Sequence, residues 1–87
     1  MWFVYLIKNK FNNEKYIGFT NDIERRIAEH NSKQNRSTIT KKGKWQIVYY
    51  EAFKNQKDAI AREKRLKQHG RARQELYKRC YNSLLEK

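Results

Sequence analysis

"KYIGFTNDIERRIAEHN", Lys15 to Asn31, decides how the rest of the chain reads. It opens as a short strand, Tyr16-Ile17-Gly18-Phe19, and then turns into a helix. Gly18 inside that strand suggests a bend or a close backbone approach. Thr20 and Asn21 can both cap the helix, and Asn21 with Glu24 resembles a capping box, so the spacing predicts a helix from about Asp22 to Asn31. Ile23 and Ile27 define its buried stripe. Arg26 and His30 fill the remaining positions of that face, while Glu24, Arg25, Ala28 and Glu29 point elsewhere. A guanidinium at the edge of a core is costly unless an anion meets it. Arg26 therefore either snorkels its head to water or waits for an anionic ligand.

Upstream, Trp2 to Ile7 is a continuous run of aromatic and branched apolar residues, too short for a helix, and reads as a buried strand. Asn9 to Glu14 is the turn of a hairpin, since Asn tolerates the left-handed conformation, and Lys15 to Phe19 is its return. Downstream, Asn31 to Lys44 holds Lys33, Arg36, Lys41, Lys42 and Lys44 with no acid, and reads as a mobile basic loop. Trp45 to Phe53 alternates and is rich in aromatics, which marks a third strand. Asn55 can cap a second helix from about Gln56 to His69, stopped by Gly70. Arg71 to about Leu85 reads as a last helix. The order β-β-α-β-α-α predicts an α+β domain, a small three-stranded antiparallel sheet flanked by helices. The whole of 1–87 is expected to form one domain, with 71–87 as its C-terminal helical extension.

Charge narrows the function. Lys and Arg number 21 against 9 Asp and Glu, a formal +12 on 87 residues. That points to an anionic partner, nucleic acid ahead of a membrane or an acidic protein. Cys80 is alone, which excludes an intrachain disulfide and a cysteine metal cage. No run reaches membrane-spanning length, and the apolar N-terminal run is too short for a signal peptide, so a cytoplasmic protein with no membrane partner is expected.

The second helix repeats the anomaly of the first with opposite sign. Ala59, Glu63 and Leu66 share one face, with Ile60 beside them, so a carboxylate stands in an apolar stripe. Glu is rarely buried unless it is paired or bound to metal. The hairpin adds Tyr5 and Tyr16, which can face each other across neighbouring strands. Each signal alone has a plain reading: core tyrosines, a structural histidine, a salt-bridged glutamate. Together, in a strongly basic chain, they suit phosphodiester hydrolysis. That reaction needs a group to orient and deprotonate water, a cation for the charge growing on phosphorus, and usually a divalent metal.

On these residues the chain resembles the GIY-YIG nuclease superfamily, in particular its small stand-alone members. Phe3-Val4-Tyr5 stands where that family has its first triad, and Tyr16-Ile17-Gly18 is the second triad unchanged. Thr20 to Asn31 is similar to the family's arginine helix and Ala59 to Lys67 to its glutamate helix, so the resemblance covers about residues 2–70. It implies that Tyr5 and Tyr16 are the paired tyrosines, Arg26 the catalytic arginine, His30 a secondary active-site group and Glu63 the carboxylate ligand of a single Mg²⁺ or Mn²⁺ ion. On the physical reading of these roles, Tyr16 acts as base and Tyr5 orients it by a hydrogen bond. Two departures stand out: Phe3 replaces the first triad's Gly, and the Asn that follows the glutamate helix in many members has no clear match, Asn82 lying too far on. The implied activity is a divalent-metal-dependent endonuclease acting on DNA, in repair or recombination, with RNA left open. A specificity-conferring protein partner and a monomeric state are further expectations. Lys33, Arg36, Lys41, Lys42, Lys44, Arg71 and Arg73 are expected to grip phosphates. The alternative is a basic nucleic-acid-binding module without catalysis.

Overall fold

Asn9 closes the hairpin. Its side-chain oxygen accepts from the backbone N–H groups of Phe11 and Asn12, at 2.9 and 3.3 Å, and its own N–H donates to Glu14 at 2.8 Å. Asn13 takes φ of 63°, the left-handed conformation expected of an Asn in this turn. The turn joins β1 (Trp2–Asn9) to β2 (Lys15–Thr20), and β3 (Trp45–Phe53) pairs with the other side of β1. The computed structural model describes residues 1–37 and 45–86, the side chains of 33–37 excepted. Within them the sheet is three-stranded and antiparallel, in the order β2-β1-β3. With its helices this is the α+β architecture predicted from the sequence.

Alternation on β1 builds two different faces. Val4 and Leu6 point to one, where Ile17, Ala59, Leu66, Leu76 and Cys80 complete the main core. Tyr5 and Ile7 point to the other, where they pack with Trp45, Tyr16 and Ile27. The first face is covered by α2 (Gln56–Gln68), α3 (Gly70–Arg79) and α4 (Tyr81–Leu85), the second by α1 (Ile23–Ser37). Among the described residues no helix is long and apolar enough to cross a membrane.

Four boundaries differ from the sequence reading. α1 does not end at Asn31 but continues to Ser37. "NSKQNRS" contains neither Pro nor Gly, and an exposed helical turn needs no apolar residue to persist. Lys33 and Arg36 are thus on the helix backbone rather than in a loop, while Lys41, Lys42 and Lys44 lie outside the described residues. The cap of α1 is Asp22 rather than Asn21: the Asp22 carboxylate accepts from the Arg25 N–H at 3.1 Å, and Thr20 Oγ1 accepts from the Asp22 N–H at 3.1 Å. α2 is capped by Asn55 as expected, its side-chain oxygen accepting from the Lys57 N–H at 2.8 Å. It breaks at the extended His69, and Gly70 opens α3 instead of ending α2. The single last helix is two, parted at Cys80, and the bend lets Leu84 pack back against the core.

Candidate active site

The start of α1 sets the position of its inward groups. With Asp22 as cap, Ile23, Arg26, Ile27, His30 and Asn31 are half-buried, and Glu24, Arg25, Ala28 and Glu29 are exposed. Asn31 fastens the face to the sheet, its side-chain oxygen accepting from the Trp45 N–H at 2.9 Å. Arg26 therefore turns toward the sheet and Arg25 away, as the helix wheel predicts.

Across from that face stand the two tyrosines. They are diagonal rather than directly opposite, because Tyr5 pairs with Gly18 and Tyr16 with Ile7. Their ring centroids are 6.3 Å apart. Gly18 is what makes this possible: a Cβ there would stand 2.6 Å from the Tyr5 hydroxyl oxygen and 2.8 Å from Cζ. The glycine expected to allow a close approach does so, and what approaches is a tyrosine ring.

His30 joins both rings. Its Nε2 lies 3.3 Å from the Tyr5 hydroxyl, and its ring packs edge-on to Tyr16 at 4.8 Å and tilted against Trp45 at 6.0 Å. Tyr5, expected to hydrogen-bond Tyr16, meets His30. Burial pushes the Tyr5 phenol above its ordinary pKa, although a hydrogen bond with Arg26 pulls the other way. Tyr5 is thus held neutral. The Arg26 guanidinium is held still more firmly protonated, first by its bond with Tyr5 and then by Glu29, whose carboxylate oxygen accepts from Nη1 at 2.9 Å.

Glu63 completes the set from α2. Its side chain is 16% exposed and pairs with Lys67 at 3.2 Å, and the Lys67 ammonium stands 5.3 Å from the centre of the Tyr16 ring. The charge of Glu63 is felt at Tyr5. Among the described residues no group of three or more His, Cys, Asp and Glu gathers as a metal site. A lone carboxylate is a hard oxygen donor, and it fits a hard cation that takes its other ligands from water and substrate phosphate. Of the residues expected to grip phosphate, Arg71 is exposed in a cleft with Arg65, His69 and Arg79. Arg73 donates to the carbonyls of Leu66 and Lys67, at 3.0 and 2.9 Å, and so caps the end of α2.

The sequence reading missed a second polar cluster. Arg62 Nε and Nη2 donate to the Glu51 carboxylate at 2.9 to 3.0 Å, and the Tyr49 hydroxyl donates to the same carboxylate at 2.6 Å. The signal is an acid on the inward face of β3 with an Arg on α2, legible only once strand and helix are paired.

A family model described as the GIY-YIG catalytic domain matches residues 1–78. The chain is similar to a UPF0213 protein of Vibrio campbellii, 37% identical over 75 residues, 86% of this chain and 71% of that one. It is also similar to UPF0213 protein CPE1444 of Clostridium perfringens, 36% identical over 63 residues, 72% of this chain and 67% of that one. UPF0213 protein YhbQ of Escherichia coli K12 is 34% identical over 67 residues, 77% of this chain and 66% of that one. No solved structure matches significantly. Nucleases with this domain generally use divalent metal ions, which agrees with an oxygen donor beside the tyrosines. From Met1 to Lys78 the match takes in both strands of the tyrosine hairpin and the helices that carry Arg26 and Glu63, and the chain belongs to the GIY-YIG nuclease superfamily.

Proposed function

We propose that the protein is a divalent-metal-dependent endonuclease that hydrolyses phosphodiester bonds in DNA, serving repair or recombination. The observation that carries this reading is the meeting of Tyr5, Arg26 and His30 around Tyr16 at the sheet edge, with Glu63 and Lys67 beside them. Tyr16 is half-buried on edge strand β2, so its hydroxyl can reach solvent. It takes a proton from the attacking water while passing its own outward, which avoids a standing phenolate. The water oxygen forms the new bond to phosphorus. The ester oxygen of the strand leaves and takes a proton from solvent. Arg26, always charged, holds a non-bridging oxygen as charge develops there. Tyr5 and His30 fix the position of Arg26 and of the Tyr16 ring. One Mg²⁺ or Mn²⁺ at Glu63, when bound, supplies further neutralisation of the phosphate. Lys67 must yield its carboxylate partner for that, so metal and DNA should bind cooperatively.

The rival reading is a binding module without chemistry. It draws on the ion pairs that already occupy Arg26 and Glu63. Nicking of supercoiled plasmid separates the two. The native chain should nick with Mg²⁺, stop with chelator, and lose activity as Glu63→Ala. DNA binding without any metal-dependent nicking would establish the binding module instead.

A further inference from the structure

A groove of about 860 Å³ opens where the hairpin turn meets α3 and α4. Lys8, Lys10, Lys15 and Lys78 line it, together with Tyr77 and Tyr81. Lys8 is engaged within the fold, since its ammonium donates to the carbonyls of Leu84 and Glu86 and so ties α4 to the sheet. Lys10, Lys15 and Lys78 are exposed, and Glu86 is the acid among the lining residues. Tyr81 is 61% exposed, so a face of its ring is open to a ligand.

The groove connects to the tyrosine site. A smaller hollow of about 310 Å³, bounded by Tyr16, Lys67 and Arg73, shares Lys15 and Tyr77 with it. The Lys15 ammonium lies 5.5 Å from the centre of the Tyr77 ring. Cations and rings thus alternate from Tyr16 to Tyr81.

Building on the nuclease reading above, we propose that this track holds an unpaired stretch of the DNA strand that adjoins the scissile phosphate. Bases stack on Tyr77 and Tyr81, and phosphates meet Lys10, Lys15 and Lys78. The warrant is the pairing of the two chemistries. Lysines alone would serve a duplex backbone, whose bases are hidden in their own stack. Rings that reach the surface between lysines, Tyr81 exposed and Tyr77 half-buried, serve bases whose faces are free, and do so with little regard to sequence. The protein is therefore selective for substrates with a tail, flap or single-stranded stretch beside the cut.

The test measures binding by fluorescence anisotropy in chelator, where no cutting occurs. The probes are a blunt duplex and the same duplex with a tail of about ten nucleotides, within the reach of one such track. The full chain should bind the tailed probe more tightly than the blunt one. Replacing Lys10, Lys78 and Tyr81 by Ala together should weaken tailed binding about tenfold and leave blunt binding unchanged. The slope of log affinity against log salt should fall by about 0.7 for each lysine that no longer meets a phosphate. Tyr81→Phe keeps the ring and should keep the affinity, whereas Tyr81→Ala should not; this pair decides the matter should the triple variant fold poorly. Equal binding of both probes by the native chain, or a tail preference untouched by these changes, overturns the proposal. The nuclease reading is judged separately, by metal-dependent nicking. A tail preference without nicking would keep the groove and remove the chemistry, and nicking without a tail preference would do the reverse.

Discussion

Two polar clusters in this small domain use similar groups and end in different states. On one face of the sheet, Glu51 receives two N–H donors of Arg62 and the hydroxyl of Tyr49. Burial alone would push the Glu51 carboxyl up, but those bonds outweigh it and hold its pKa below the usual value. The cluster is closed: it joins β3 to α2 and leaves little to offer a ligand. In the other cluster, Arg26 on α1 pairs with Glu29 one turn along its own helix, and Glu63 on α2 pairs with Lys67 in the same way. Such pairs on a helix surface are worth only about 0.2–0.5 kcal/mol. They can be exchanged for a phosphate or a metal at little cost. The difference suggests how to tell structural charges from working ones. A carboxylate and a guanidinium that fill each other's bonds across distant segments hold the fold, and charges whose ionic partner is one turn away, beside a solvent-facing ring, are available for chemistry.

The sharpest way to break that comparison is to delete one arginine from each cluster. Arg26→Ala should lower plasmid nicking about a thousandfold, the scale of losing a preorganised charge at the transition state, while melting changes little. Arg62→Ala should lower the melting temperature and leave the nicking rate of folded protein near native. Arg25→Ala, outside both clusters, should do neither. Equal loss of nicking in the Arg25 and Arg26 variants would mean that the inward face of α1 has no special part in the reaction.

A smaller effect is expected at the tyrosines. Tyr16→Phe removes the proposed proton acceptor and should slow single-turnover cleavage about a hundredfold with DNA affinity unchanged. Tyr5→Phe should be milder, since Tyr5 is buried and holds His30 and Arg26 in place. Gly18→Ala tests the same support from the backbone. Its new methyl would stand 2.6 Å from the Tyr5 hydroxyl oxygen, so the ring must move, and cleavage should fall with stability. A variant with native activity and an undisturbed melt would show that the position of the Tyr5 ring does not matter.

Much of this arrangement is legible in the sequence, for reasons that differ by element. β3 is marked by alternation and aromatics, and α2 by Asn55, because each carries its own local signal. The inward face of α1 follows from spacing even though the cap is Asp22 rather than Asn21, since Ile23 and Ile27 fix the phase whichever residue caps. The end of α1 is not legible: Lys33 to Ser37 carries no apolar stripe, yet a helix can run on without one. The break after α2 is legible from Gly70, although that glycine opens α3 instead of closing α2; the bend at Cys80 is hidden, because Cys is not a breaker and the bend depends on packing. The diagonal register of Tyr5 and Tyr16 depends on the geometry of the Asn9–Glu14 turn. The Glu51–Arg62 pair depends on which strand face meets which helix face, information that exists only in the assembled fold.

The smallest expected effect separates the two glutamates by stability alone. Glu51 has its folded pKa below its unfolded one. Its contribution is therefore present above the ordinary carboxylate value, about 4.3, and is lost as pH falls through the folded value. Glu51→Gln should cost about 1–2 kcal/mol at neutral pH, less than a fully buried pair because both side chains keep some exposure to water. In a chain of this size that corresponds to a drop of about 5–10 °C in melting temperature. The gap between native and variant melts should narrow as pH is lowered below about 4. Glu63→Gln loses only a one-turn pair and should shift the neutral-pH melt by less than about 0.5 kcal/mol, even though it is expected to remove activity. Thermal melts of both variants from neutral to acid pH make the measurement. A Glu51→Gln gap that stays constant into acid, or a Glu63→Gln loss as large as that of Glu51→Gln, would erase the distinction between a closed cluster and an open one.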